Sequence, residues 1–125
     1  MTQEEKDLLL KDLFARLPYG TFVQFEVDGQ KTIKPLTVDF FSSTWYHTEW
    51  IKPYLRPMSS ITKDEEKELG NYLSTEVFLS TDGLYSVLRA QRHTSNFLYS
   101  RHLDVLGLIP MGLALEAPED MYKTE

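Results

Sequence analysis

Thr21-Phe22-Val23-Gln24-Phe25-Glu26-Val27-Asp28-Gly29-Gln30-Lys31-Thr32-Ile33-Lys34-Pro35 alternates apolar with polar residues, turns, and sets off again. Val23, Phe25 and Val27 point one way and Gln24 and Glu26 the other, the period of a half-buried strand. Asp28-Gly29 is the dipeptide of a two-residue type I′ turn, whose central positions both need positive φ. A β-hairpin follows, with a return strand expected from Lys31 to Val38. Ile33 is out of phase with Leu36, Val38 and Phe40 across Pro35, and proline cannot donate to a ladder, so that strand is read as an edge or a bulge.

Outward from the hairpin, the chain opens on Thr2-x-x-Glu5, the spacing of a capping box. Leu9, Leu10, Leu13, Phe14 and Leu17 then recur at helical spacing, with Glu5, Lys6, Lys11, Asp12 and Arg16 assigned to the opposite arc. Pro18 and Gly20 stop that helix. On the other side of the hairpin, residues 42–50 are aromatic and β-prone and read as a third strand. Pro53 and Pro57 are expected to break regular structure, and Thr62-x-x-Glu65 to start a helix from Lys63 to Leu73. Past Ser74 the preferred reading is a second hairpin turning at Asp82-Gly83, against a helix through Leu84 to Arg92. A short helix capped by Thr94 or Ser95 follows. The fold expected is α+β: an N-terminal helix packed on a small bent antiparallel sheet, with short helices in the second half. It is expected as one domain over residues 1–125, in which 116–125 is an acidic, poorly anchored tail.

The composition excludes several functions. At 42% hydrophobic residues the chain can offset its conformational entropy and fold. No cysteine is present, which removes disulfides, thiolate nucleophiles and iron–sulfur ligation. Thirteen Lys and Arg against nineteen Asp and Glu give a net charge of −6, a field that repels phosphate backbones, so nucleic acid is disfavoured as a partner. Residues 30–57 carry four bases and two acids, against six acids and three bases in residues 1–28. With no apolar run of membrane length and no leader-like start, a soluble cytoplasmic protein without membrane contact is the expectation.

Ile51-Lys52-Pro53-Tyr54-Leu55-Arg56-Pro57-Met58-Ser59-Ser60 with Thr62, and Gly107-Leu108-Ile109-Pro110-Met111-Gly112-Leu113-Ala114-Leu115-Glu116-Ala117-Pro118, form two distinctive stretches. Together with Glu4-Glu5-Lys6-Asp7-Leu8-Leu9-Leu10-Lys11-Asp12-Leu13 and Leu17-Pro18-Tyr19-Gly20, they resemble a family of short uncharacterised proteins from gut Bacteroidales and their phages or mobile elements. The resemblance spans residues 1–20, 51–66 and 93–123, and not 21–50 or 67–92. That pattern fits either a divergent member or a variable central surface on a shared frame. It implies a bacterial or phage-infected cytoplasm and carries over no catalytic residue, cofactor or metal.

Three clusters carry candidate chemistry. His47 and Glu49 share a face of the expected third strand, but an acid–base pair needs more than two residues, and a metal would need a third ligand such as Asp39 or His102. Arg89, Arg92, His93, Arg101 and His102 form the densest cationic group, able to hold a phosphate or carboxylate if they converge, or simply to balance Asp64, Glu65, Glu66 and Glu68. Trp45, Tyr46, Trp50 and Tyr54 are the third: a regular strand puts Trp45 and Tyr46 on opposite faces, and a ring left outside makes a contact patch. No phosphate loop, dinucleotide fingerprint, zinc helix, nucleophile elbow or calcium loop is present. The preferred function is a small binding protein acting on a protein partner or by self-association, with a host-modulating or counter-defence role fitting the implied setting. The alternatives are a binder or enzyme for an anionic ligand and an assembly component.

Overall fold

The hairpin forms where its sequence places it. β1 (Phe22–Val27) and β2 (Gln30–Pro35) pair antiparallel, and the turn holds Asp28 at φ 52° and Gly29 at φ 80°. The computed structural model describes residues 1–40, 50–79 and 83–122, with the backbone alone for 72–79 and 83–89. Around the hairpin the chain folds as an α+β protein, with α1 (Gln3–Arg16), β3 (Ile51–Leu55), α2 (Lys63–Leu79), α3 (Gly83–Ser100) and β4 (Leu115–Glu116). The sheet order is β2-β1-β3-β4. It is mixed rather than wholly antiparallel, because the two-residue β4 runs parallel to β3.

Both capping boxes are made: Thr2 with Glu5 opens α1, and Thr62 with Glu65 opens α2. Leu9 and Leu13 of α1 join Val23, Leu36, Phe40, Ile51, Leu55, Leu108, Leu113 and Ala114 in one core on the inner face of the sheet. The other arc of α1 departs from its expected polarity. Asp12 and Arg16 are fully buried, whereas Phe14 is 58% exposed. Residues 9, 12, 13 and 16 are spaced i, i+3, i+4, i+7 and form one face, while Phe14 lies five residues from Leu9, about 140° around the helix.

Three further expectations are corrected. Pro53 does not break the chain but sits buried inside β3. The Leu55 carbonyl accepts from the Ala117 N–H (2.8 Å), so alternation turns the backbone of Pro53 to that same side, away from β1 and ahead of the start of β4. The return strand ends at Pro35 rather than Val38: Leu36 donates to the Thr21 carbonyl, and residues 38–40 turn helical, with the Thr37 hydroxyl accepting from the Phe40 N–H. The second hairpin is replaced by the helix pair α2 and α3, in which Thr94 is interior and donates its hydroxyl to the Ala90 carbonyl. Leu84, Val87 and Leu88 satisfy the helical period, and three residues are too few to make the β alternation decisive. The strand expected over 42–50, with His47 and Glu49, lies outside the described residues except for Trp50. No helix among the described residues is long and apolar enough to cross a membrane.

Candidate interaction surface

The inner sheet face is committed to the core, so the outer face is where the fold leaves chemistry accessible. Ile51, Pro53 and Leu55 are buried inward, and alternation therefore sends Lys52 and Tyr54 outward; Trp50 lies immediately before the strand, at the margin of the same hollow as Lys52, and all three are half-buried. Gln24 stands opposite Lys52 in the ladder. The Tyr54 hydroxyl lies 3.5 Å from the Gln24 side-chain nitrogen. Trp50 also meets Phe25, with ring centres 6.0 Å apart. An open hollow of about 290 Å³ is lined by Gln24, Glu26, Asp28, Gly29, Trp50 and Lys52. It is polar at its rim and aromatic at one wall, the combination that suits an anchor for a protein contact.

One end of this face is closed by the C-terminal segment, which despite its acidic composition is tied down by β4, by the Ala117–Leu55 backbone bond and by the Tyr122 side chain. The register that pairs Val23 with Pro53 sets Phe22 opposite Tyr54, but the Tyr122 hydroxyl stands between them. It accepts from the Phe22 N–H at 2.8 Å and donates to the Tyr54 carbonyl at 2.7 Å. A side chain thus replaces one rung of the sheet. The Tyr122 ring stacks on His102, with centres 3.8 Å apart and planes 13° from parallel. Burial pushes the Tyr122 phenol up to about 12, so it stays a neutral donor.

His102 reaches that position through a strained cap. Its φ is 63°, its N–H bonds the Tyr99 carbonyl, and the Leu103 N–H bonds the Leu98 carbonyl. This is the Schellman arrangement with histidine where glycine is usual. The ring turns inward, where Nδ1 lies 2.9 Å from the Thr21 hydroxyl. Burial first, then the Arg16 and Arg56 charges, lower its pKa to about 4.

Beneath it, Arg16 pairs with Asp12 through two contacts (2.7 and 3.0 Å) and donates to the Leu103 carbonyl at 2.6 Å. Its guanidinium carbon is 4.8 Å from the centre of the Tyr99 ring. Burial raises the Asp12 pKa, and the Arg16 contacts oppose that rise. The Asp104 carboxylate accepts from the Leu108 and Ile109 N–H groups. These buried charges tie α1 to the end of α3 and brace the loop after it.

Among the described residues the members of the cationic group do not converge. Arg101 is turned to Glu68 (3.0 Å) on α2, and His102 faces Thr21 and Tyr122. Arg92 is exposed, and His93 lines a separate hollow of about 330 Å³ with Tyr19, Leu69 and Phe97. The Arg89 side chain, and Trp45 and Tyr46 entirely, lie outside the described residues. Arg56 is absorbed structurally: it grips Glu65 at 2.7 and 2.9 Å and lowers that carboxyl to about 2. No group of three or more His, Asp or Glu gathers for a metal among the described residues. The pattern missed Lys52, Tyr122 and the buried Asp12–Arg16 pair. For Lys52 the alternation was legible once Pro53 was allowed into the strand, whereas nothing local marks Tyr122. Compared with known proteins, the chain matches no family model, no curated protein and no solved structure.

Proposed function

We propose that this is a small non-catalytic binding protein that contacts another protein, or a second copy of itself, through the outer sheet face around Trp50, Lys52 and Tyr54. The observation that carries the reading is the open hollow walled by Trp50 and Lys52 on a sheet whose other face is filled. It is supported by the fate of the ionisable groups. Asp12, Arg16, Arg56, Glu65, Arg101 and Asp104 are each spent on a partner within the fold, which favours contact over acid–base chemistry. Trp45 and Tyr46, the other aromatics that the sequence offers for such a contact, lie outside the described residues. The setting we propose, a bacterial or phage-infected cytoplasm with a host-modulating or counter-defence role, rests on the resemblance of residues 1–20, 51–66 and 93–123. Hydrogen exchange compares the isolated chain with its assembled form: slowed exchange over residues 50–55 is expected, and protection confined to α2 and α3 instead would overturn the reading.

A further inference from the structure

Among the described residues β2 is the outermost strand of the sheet, and all six of its residues are exposed. The hairpin fixes which of its backbone groups are free. A two-residue turn makes Val27 and Gln30 a hydrogen-bonded pair, and alternation gives the same bonding to Phe25 with Thr32 and to Val23 with Lys34. Lys31 and Ile33 therefore turn their N–H and C=O groups away from β1, and Pro35 turns out a carbonyl only. Lys31 and Ile33 project side chains to the outer face, where Ile33 is 54% exposed. Lys34 lies on the inner side, its ammonium 4.5 Å from the centre of the Phe40 ring. Neither lysine forms an ion pair among the described residues.

Lysines and a proline on an edge strand oppose pairing with a like strand. A second β2 would add two more lysines to the same ladder. The same pattern favours an acidic strand, and the stretch holding this edge, residues 30–57, carries four bases against two acids in a chain that is acidic as a whole. We propose that the free edge of β2 takes up an extended acidic segment of a protein partner as an added antiparallel strand. The register specifies that segment. Read from its N-terminus it carries an acid opposite Lys34, an apolar residue opposite Ile33, a neutral residue opposite Thr32 and an acid opposite Lys31. Glu26, opposite Lys31 on β1, shares part of that lysine's field, so the acid at Lys34 contributes more. The missing N–H of Pro35 ends the ladder there. The inference rests on the sheet being the contact surface and names the chemistry of what docks beside it.

The test is fluorescence anisotropy with a short labelled peptide built around Asp-Val-Thr-Glu. Binding is expected, with no binding of the Lys-Val-Thr-Lys counterpart. Reversing both charges in Lys31→Glu/Lys34→Glu is expected to weaken it by about tenfold, since two cross-strand attractions become repulsions. N-methylation of the peptide valine, whose N–H faces the Ile33 carbonyl, abolishes binding, while N-methylation of the threonine, whose N–H points away, leaves it. That pair of peptides needs no change to the protein. No binding of the acidic peptide, or binding indifferent to which residue is methylated, overturns the inference. If the peptide fails while partner capture still depends on Trp50, the edge inference alone falls. If the peptide binds while capture is indifferent to Trp50, the contact-face reading falls instead.

Discussion

Tyr122→Phe removes one oxygen and leaves the ring, so the His102 stack and the contact with Phe22 survive. What is lost is the bridge between the Phe22 N–H and the Tyr54 carbonyl. The two backbone groups cannot simply re-pair, because the ring still holds the strands apart at that rung. Two hydrogen bonds at a net 0.5–1.5 kcal/mol each give a loss of about 1–3 kcal/mol. For a chain of 125 residues that corresponds to a melting temperature lower by roughly 4–11 °C. Calorimetry measures the shift, and amide exchange at Phe22 should quicken in the variant without a comparable change at Val23. A variant as stable as the parent, with Phe22 exchange unchanged, would refute the claim that Tyr122 completes the sheet.

Other substitutions probe the buried frame. Asp12→Leu alone strands the Arg16 charge and should destabilise by about 3–5 kcal/mol in urea, whereas Asp12→Leu/Arg16→Met should recover most of that loss; a double variant as poor as the sum of the singles contradicts a coupled pair. His102 titrates near 4 when folded and near 6.5 when free, so the folded state binds fewer protons between those values. Stability should therefore be complete above about pH 6.5 and fall toward pH 4, by ~1–2 kcal/mol once solvent screening is allowed for. Urea midpoints against pH measure this, and His102→Phe should flatten that limb. The Glu65 contribution is present above its ordinary 4.5 and is lost as pH falls through about 2. Gly29→Ala meets no atom within 4 Å yet must hold positive φ, so a loss of about 1 kcal/mol is expected from backbone strain alone; an unchanged midpoint would argue against the turn.

The legible parts of the fold are those where one local rule acts alone. Asp28-Gly29 with alternation on both sides leaves little but a hairpin, and each Thr-x-x-Glu sets a helix start by its own bonding. The reading failed where tertiary partners overrule residue type. Asp12 and Arg16 look like surface residues until Leu103 and Tyr99 arrive from nearly ninety residues away, and Phe14 looks like core until the face is fixed by the residues around it. Pro53 is admitted to a strand only because the neighbour on its bare side starts later. On the candidate surface, Trp50 and Tyr54 were visible as aromatics, but the face that Tyr54 shares with Lys52 depends on that same strand. His102 was grouped with Arg101 by adjacency, and the left-handed backbone between helix and loop separates them.

The central claim is that the outer sheet face around Trp50 makes the contact. Native mass spectrometry of the protein recovered gently from an expressing bacterium, beside Trp50→Ala and Lys52→Glu variants whose circular dichroism is unchanged, tests it most directly. The account predicts a stoichiometric protein partner or a homo-oligomer with the parent chain, and the bare chain with the variants. A small bound mass retained by all three, or an assembly indifferent to both substitutions, would contradict it.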